Sequence, residues 1–299
     1  TYVKDGLVMA NRFLTPPKLT FPVSGTAAFN GTSDYIDLPT DLIEWGNESN
    51  SDNPYTIGFW CYANDLVSTS QAPFNAGGYG GGTNNGANVH IKENNILVFN
   101  VNHEGDAYRG RAYNATIPEK EWFYFAYTYD GSRVNSGFKI YFNGSRLDDA
   151  NFTGGTYTAA SQTSANNIGR RPNNNDLYWD GNLANVAIWN RALSSDEINS
   201  VMWKTYEQVS TTESNGLQAW YKLSADEVIS GDSTATLTTY ANANSLTFEA
   251  PACVQTALNG LPDITDARLY SANYDIRVKA DGGNVESLNC VETELNAIL

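Results

Sequence analysis

Apolar and polar side chains alternate most clearly in the segment from Asn182 to Trp189, which has the sequence NLANVAIW. Leu183 would face the interior of a sheet and Ala184 the opposite side, as the two-residue period of a strand requires. This pattern predicts a strand that is mostly buried. The preceding Trp179-Asp180-Gly181 is predicted to form a tight turn, and Asn190-Arg191 to end the strand.

A helix is predicted to begin shortly after this strand. Ser194 stands three residues before Glu197, which is the spacing of a capping box. In that motif the serine hydroxyl accepts from the glutamate N–H, and the glutamate side chain accepts from the serine N–H. The helix is expected to run to about Gln208, and a further strand is expected at Leu217–Leu223.

The block from Asn166 to Ile198 resembles the closing segment of the laminin-G-like family. That family has a concanavalin A-type jelly roll, so the resemblance implies a mainly β fold, a two-sheet antiparallel sandwich. The positions that carry the resemblance are Gly181, Leu183, Val186, Ile188, Trp189, Asn190, Arg191, Ala192, Leu193, Ser194, Glu197 and Ile198.

Upstream segments resemble the same family in their order and spacing, so that the resemblance extends over residues 20 to 205. These segments are Thr26–Gly31 with Asp34–Ile36, Tyr55–Trp60, Trp122–Gly131 and Lys139–Gly144.

The composition favours the same fold class. The chain has 25 Gly and 18 Tyr but only 2 Met, and Asn-Gly and Asp-Gly turns separate short alternating segments, as in all-β sandwiches. The net charge of −15 argues against a nucleic-acid partner, because phosphate contacts need a basic patch. No segment of the sequence approaches the roughly 20 apolar residues that a membrane span requires.

The chain is predicted to have three parts. Residues 1–20 form an extended arm, residues 21–209 the sandwich with its capped helix, and residues 210–299 a linker, a short strand and a C-terminal α-helical hairpin. Helical spacing is read in Ser271–Lys279 and again after Asn284, which would cap the final helix. The apolar stripe of that helix is a predicted assembly interface, made of Leu288, Val291, Leu295 and Ile298.

The amino-acid sequence between Tyr274 and Cys290 resembles the C-terminal segments of structural proteins of tailed phages. The resemblance implies a protein on the virion surface, in a capsid decoration, fibre or tail, whose partners are other virion proteins or further copies of the chain. Cys253 and Cys290 could pair as a disulfide, whereas Cys61 is expected to be a buried thiol.

The possible catalytic side chains in the sequence indicate a protein that is not an enzyme. Glycosidases on this sandwich carry a Glu-x-Asp-x-x-Glu strand, because two carboxylates must flank the scissile bond, and the chain has no such triplet. Its two histidines, His90 and His103, do not adjoin a serine or cysteine that they could activate. Each is expected to be an ordinary strand or loop residue.

Two loops have the side chains that bind sugars. The glycine-rich loop from Gly77 to Gly86 can also be an ordinary long hairpin loop, and the loop from Arg170 to Trp179 can also be a solvated connection. The candidate glycan contacts in the two loops are Tyr79, Asn84, Asn85, Arg170, Arg171, Asn174, Asp176 and Trp179.

Calcium is the one metal that the family resemblance implies, held by carbonyl and carboxylate oxygens at a sheet edge. The candidate ligands are Gly31, Asp34 and Asp180, although Ala184 stands where many members carry an acidic residue. Two functions therefore remain open: a virion surface protein that binds host glycans, and an extracellular glycan-binding or adhesion module of a bacterium.

Overall fold

The computed structural model describes residues 10–11, 25–46, 51–66, 69–77, 85–101, 107–160, 165–172, 174–225, 236–239, 264–270, 275–280 and 286–287. The chain divides into two compact units. The sandwich unit is Val23–Asn242, and the terminal unit combines Thr1–Pro22 with Ala243–Leu299.

Most regular elements are strands. In chain order they are β1 (Ala10–Asn11), β2 (Gly25–Asn30), β3 (Ile36–Leu38), β4 (Tyr55–Ala63), β5 (Gln71–Gly77), β6 (Asn85–Lys92), β7 (Asn95–Val101), β8 (Tyr108–Tyr113), β9 (Trp122–Tyr129), β10 (Phe138–Phe142), β11 (Ser145–Arg146), β12 (Ala150–Gly154), β13 (Asn166–Ile168), β14 (Asp180–Trp189), β15 (Leu217–Tyr221), β16 (Thr236–Thr239), β17 (Ile264–Tyr270), β18 (Asp275–Ala280) and β19 (Glu286–Ser287). The helices are the α-helix α1 (Ser195–Val201) and the 3-10 turns Asn135–Gly137 and Tyr206–Gln208.

Two antiparallel sheets form the sandwich unit, which confirms the predicted mainly β, two-sheet fold. The eight-stranded sheet has the order β11-β10-β9-β4-β14-β2-β16, and β15 also pairs with β14. The seven-stranded sheet has the order β12-β8-β7-β6-β5-β13-β3. The eight-stranded sheet continues past residue 209, because β15 and β16 belong to it. At its edge β16 pairs antiparallel with β2, and Thr239 lies opposite Gly25.

Aromatic pairs across β4 and β9 fill the space between the sheets. Tyr55 lies opposite Tyr129, and Phe59 lies opposite Phe125 with ring centroids 5.4 Å apart. All four side chains are buried in the main core cluster. Such pairs add to the gain from apolar burial, because offset and edge-on aromatic contacts are favourable in themselves.

The opposite, outer face of β4 is also covered. Trp60 packs against Tyr124 at 5.4 Å between ring centroids, and its indole N–H donates to the carbonyl of Met202 at 2.9 Å. Helix α1 and the turn after it therefore lie over this face, and the capping box of Ser194 and Glu197 is present as predicted. The helix ends at Val201, so its predicted extension to Gln208 is wrong. The chain turns there, and Trp203 packs on Trp60.

The predicted strand from Asn182 is present, but the predicted turn at Trp179–Gly181 is wrong because β14 already begins at Asp180. Gly181 has φ of +146°, and a Cβ there would press on the Tyr62 carbonyl. The glycine thus permits close approach of two strands rather than a turn. A bulge follows, in which Asn185 has φ of +48° and the register against β4 shifts between Ala184 and Ala187.

The described part of the terminal unit is a sheet with the order β1-β17-β18-β19. The predicted helical hairpin is therefore wrong over β18 and β19. In β18 the charged residues Asp275, Arg277 and Lys279 alternate with apolar ones, and this two-residue period decides for a strand over the helical spacing. The predicted interface residues Leu288, Val291, Leu295 and Ile298 lie outside the described residues, as do Cys253 and Cys290.

Asp52 is a carboxylate buried inside the sandwich unit, with 7% of its surface exposed. It accepts from the hydroxyls of Tyr129 and Tyr157, both at 2.6 Å, and from the N–H of Ala160 at 2.7 Å. These bonds attach the segment after β12 to the end of β9. They also compensate the desolvation of the charge, which would otherwise be costly.

We expect Asp52→Ala to lower the free energy of unfolding by about 3 kcal/mol, because two buried donors and one half-buried donor lose their acceptor. Asp52→Asn should cost less, since one oxygen remains. Urea unfolding followed by fluorescence measures both values. The exposed carboxylate Glu121 provides the control, and a cost for Asp52→Ala no larger than that of Glu121→Ala would contradict the assignment.

Candidate functional site

The two predicted sugar-binding loops lie at opposite ends of β5. Asn85 begins β6 and lies opposite Gly77, so the glycine-rich segment stands in the sequence between two adjacent antiparallel strands. The other loop lies at the start of β5, where Ala72 N–H donates to the Leu177 carbonyl at 2.7 Å. Seven strand residues separate the two ends by about 20 Å. The candidates Tyr79 and Asn84 lie outside the described residues.

The loop of residues 169–178, called here the Arg170 loop, is held by its first arginine. The guanidinium of Arg170 lies 3.3 Å from the centroid of the Tyr35 ring and donates to the Asn167 side chain at 2.9 Å. It also donates to Asn175 at 2.7 Å and lies 3.7 Å from the carboxylate of Asp37. Arg170 thus fastens the loop to β3 and β13.

A second arginine closes the loop on itself. Arg171 donates from Nε to Oδ1 of Asp176 at 2.7 Å and from Nη2 to Oδ2 at 2.5 Å, which makes a bidentate ion pair. The backbones of the same two residues form a β-bridge. Bidentate pairs fix orientation as well as adding energy. The arginine side chain is 13% exposed and the aspartate side chain 41%, so the carboxylate keeps access to solvent.

The tip of the Arg170 loop presents amides to solvent. Asn174 and Asn175 are exposed, and Asn175 has φ of +48°, a left-handed conformation that asparagine tolerates. Trp179 was predicted as an aromatic glycan contact, and this prediction is wrong. Its side chain is fully buried in the main core cluster. Burial of a large ring contributes more to folding than exposure beside a polar loop would.

The Arg170 loop adjoins a row of side chains that crosses the outer face of the seven-stranded sheet. Their strand neighbours Ile168, Phe74, Val89 and Val98 point into the core, so the row faces the other way. The row consists of Asp37, Asn167, Asn75, Asn88 and Phe99, each opposite the next in register.

His90 lies beside this row and is buried. Its Nε2 is 3.4 Å from the Asn75 amide nitrogen, and its ring meets that of Phe99 edge-on at 5.0 Å. Burial, and after it the positive charge of Arg171, lower the pKa of His90 to about 3, while Asp176 acts in the opposite direction. The imidazole is therefore neutral near pH 7. The other histidine, His103, lies outside the described residues.

Aromatic side chains occupy the far half of the same face. Phe99 contacts Phe152 at 5.1 Å between ring centroids, and Tyr108 stacks on Phe152 at 4.4 Å. Tyr108 and Phe152 are half-buried. The outer face thus has a polar half under the Arg170 loop and an aromatic half on β7, β8 and β12.

The predicted calcium ligands are partly brought together. Gly31 abuts Asp180, since a Cβ on the glycine would lie 2.9 Å from Cβ of the aspartate, and its N–H donates to the Trp179 carbonyl. The Asp180 carboxylate already accepts from the Asn64 amide at 2.9 Å. Asp34 belongs to a turn in which its N–H donates to the Asn30 side chain. Among the described residues no group of three or more His, Cys, Asp or Glu is arranged for a metal, and calcium stays a prediction.

The arrangement of the loop can form hydrogen bonds to a ligand. The loop offers amides and one half-exposed carboxylate, and its guanidiniums are already oriented by acidic partners. The sequence predicted Arg170, Arg171, Asn174 and Asp176 as glycan contacts, and the structure brings them together in one loop. It gave no prediction for Tyr35, Asp37 and Asn167, which hold Arg170. The alternation of polar and apolar residues around Ile168 could have placed Asn167 on the outer face of the sheet. In the described part of the chain, no helix has the length and apolar character that crossing a bilayer requires.

The buried neutral histidine predicts acid sensitivity. Because the folded pKa lies below the unfolded value of 6.5, only the unfolded chain takes up this proton between pH 6.5 and about 3, and stability falls as the pH falls. Between pH 7.5 and pH 5 the free energy of unfolding should fall by about 2 kcal/mol because of this histidine. We expect His90→Gln to lose correspondingly less stability than the wild type between pH 7.5 and pH 5 in urea unfolding. Equal losses in the two proteins would contradict the assignment.

Comparison with known structures gives distant likenesses. A heptameric SAP-like pentraxin from Limulus polyphemus is 11% identical with a TM-score of 0.46, over 73% of this chain and 96% of that one. A putative carbohydrate binding protein from Bacteroides ovatus is 16% identical with a TM-score of 0.45, over 74% of this chain and 61% of that one. No curated protein matches the chain in sequence.

A family model gives a direct match in sequence. The model for the concanavalin A-like lectin/glucanases superfamily matches residues 30–199. This range begins at the end of β2 and reaches into α1, so it includes most of the sandwich unit and the whole Arg170 loop. Because the match extends over more than half of the sequence, the chain belongs to the concanavalin A-like lectin/glucanases superfamily.

Proposed function

We propose that the protein is a non-enzymatic glycan-binding module whose ligand contacts the Arg170 loop. Membership of a superfamily that includes lectins is consistent with this function. The observation that carries the proposal is the order of the loop before any ligand arrives. Arg170 is stacked on Tyr35, and Arg171 is paired twice with Asp176.

Order of this kind favours binding, because a loop that is already fixed loses little conformational freedom when it takes up a ligand. The exposed amides of Asn174 and Asn175 each offer donors and an acceptor, although Asn175 already accepts from Arg170. Sugar hydroxyls both donate and accept, so amides and a carboxylate at a loop tip suit them. We therefore assign hydroxyl-rich, neutral saccharides as the ligand class.

The carboxylates near the loop support a binding role over a hydrolytic one. Asp37 lies 3.7 Å from Arg170, and Asp176 is bidentate to Arg171. A glycosidase needs one carboxyl group that stays protonated and a second that attacks or activates water. Both carboxylates here are instead engaged by arginines of the loop.

We further propose that the sandwich is displayed on the surface of a tailed-phage virion, as a decoration, fibre or tail component. Two features support this setting. The sequence between Tyr274 and Cys290 resembles the C-terminal segments of tailed-phage structural proteins. The chain also has a terminal unit distinct from the sandwich unit, which could attach to other virion proteins or to further copies of the chain. The alternative is an extracellular adhesion module of a bacterium, in which the terminal unit would attach to the cell surface.

Removal of one exposed amide at the loop tip should weaken glycan binding. A glycan array identifies the ligand, and titration calorimetry then compares the wild type with Asn174→Ala. We expect affinity to fall about fivefold to tenfold, the effect of about one lost hydrogen bond. Asn94→Ala is the matched control, because Asn94 is an exposed asparagine in the turn between β6 and β7. Equal affinities for Asn174→Ala and the wild type, or an array without any binding, would refute the loop as the site.

Deletion of residues 243–299 should separate binding from assembly. If the terminal unit attaches the protein to a virion, the shortened chain will keep its glycan affinity but will be missing from purified particles in mass spectrometry. The full chain in the same particles is the positive control. Full incorporation of the shortened chain would rule out attachment through this segment.

A further inference from the structure

Tyr206 is unusual in its exposure. Among the described residues, the exposed large apolar side chains are Val134, at 49%, and Tyr206, at 52%, so Tyr206 is the exposed aromatic ring of that part of the chain. It lies in the 3-10 turn Tyr206–Gln208, where the Thr205 N–H donates to the Gln208 side chain at 2.9 Å. The ring is therefore presented by an ordered element.

A second aromatic ring stands beside it. The ring centroids of Tyr206 and Trp220 are 6.3 Å apart, with an angle of 57° between the planes. Trp220 is half-buried and packs edge-on against the buried Trp189 at 6.1 Å. Its indole N–H donates to Asn185 at 3.4 Å. Trp220 is thus supported from beneath, while Tyr206 extends the aromatic surface towards solvent.

Polar groups surround the two rings. Lys222 donates to Glu207 at 2.5 Å, and this ion pair joins the strand that carries Trp220 to the turn that carries Tyr206. Hydrogen bonds, the first of them from Lys222, lower the pKa of Glu207 to about 2, so the carboxylate is ionised near pH 7. Gln218 is exposed and lies two residues before Trp220, on the same side of the strand.

We propose that Tyr206 and Trp220 form a second carbohydrate-binding site, called here the aromatic platform, on which one pyranose ring of an oligosaccharide lies. A pyranose has an apolar face of C–H groups and a rim of hydroxyls. The aromatic rings match the face, and Gln218, Lys222 and Glu207 match the rim. Ligand sites commonly combine apolar surface with a few fixed polar groups in this way.

A protein partner fits the same surface less well. A stable protein interface buries about 800 Å² on each partner around a core depleted of charge. Here a single exposed ring adjoins an ion pair whose glutamate side chain is 60% exposed and whose lysine side chain is 37% exposed. A small amphipathic ligand uses this mixture without having to desolvate the whole charged rim.

The aromatic platform is independent of the Arg170 loop. Trp220 lies opposite Ala187 in β14, and the neighbouring Ile188 points into the core, so the platform is on the outer face of the eight-stranded sheet. The Arg170 loop lies against the outer face of the seven-stranded sheet. The two sites are therefore on opposite sides of the sandwich unit, and one module could hold two glycan chains at once.

The test titrates the full chain with neutral hexasaccharides of glucose, xylose and mannose, followed by intrinsic fluorescence and saturation-transfer NMR. We expect Tyr206→Ala to weaken binding at the platform about tenfold and Tyr206→Phe to keep it within about twofold. Trp220→Phe should remove the fluorescence change. Val134→Ala is the matched control, because it truncates the other exposed large apolar side chain, and its affinity should equal that of the wild type.

The outcomes separate this site from the Arg170 loop. Weaker binding in Tyr206→Ala with unchanged binding in Asn174→Ala would support the platform alone, and losses in both variants would support two sites. If Asn174→Ala loses binding and Tyr206→Ala does not, the platform is refuted while the loop stands. An absence of saturation transfer from every hexasaccharide, or capture of a protein partner by a surface that ignores sugars, would also refute the platform.

Discussion

The central strands of the eight-stranded sheet must be buried on both faces, and the rest of the sandwich unit follows from this constraint. On the inner side, Tyr55 and Phe59 meet aromatic partners across β9. On the outer side, Trp60 and Trp189 would expose large indoles if nothing covered them. Helix α1 and the turns after it supply the cover: Trp60 donates to the Met202 carbonyl, and Trp189 donates to the Glu213 carbonyl. The segment after β14 is thus an integral layer of the fold.

The seven-stranded sheet meets the same requirement with polar groups. Its outer face carries Asn75, Asn88 and Asn167, all fully buried, and buried amides need partners. The Arg170 loop supplies some of them, since Arg170 donates to Asn167. In a single conformation, the Arg170 loop therefore both covers part of the seven-stranded sheet and exposes amides to solvent. The outer surfaces of the two sheets differ for this reason: buried indoles lie on the eight-stranded sheet, and buried amides lie on the polar half of the seven-stranded sheet.

The parts of the fold that local patterns determine could be predicted from the sequence. The alternation in β14 and the capping box at Ser194 need only neighbouring residues, and both are present. The environment of Arg170 could not be predicted, because Tyr35 and Asp37 come from the other end of the sandwich sequence and no local signal links them to it. Trp179 was misjudged for a related reason: a tryptophan beside a polar loop is ambiguous until the facing sheet is known. Over β18, helical spacing and strand alternation coexist, and the strand pairing decided between them.

The pairing of β2 with β16 has a topological consequence. With Gly25 opposite Thr239, the chain enters and leaves the sandwich unit on neighbouring strands. The two ends of the sandwich unit are therefore close together, and the segments before and after it in the sequence belong to one other unit. Modules with adjacent ends can be transplanted into a loop of another protein without stretching the host, and can be excised with a short bridging turn. Recombination could therefore exchange this sandwich as a cassette and leave the flanking segments of the sequence unchanged.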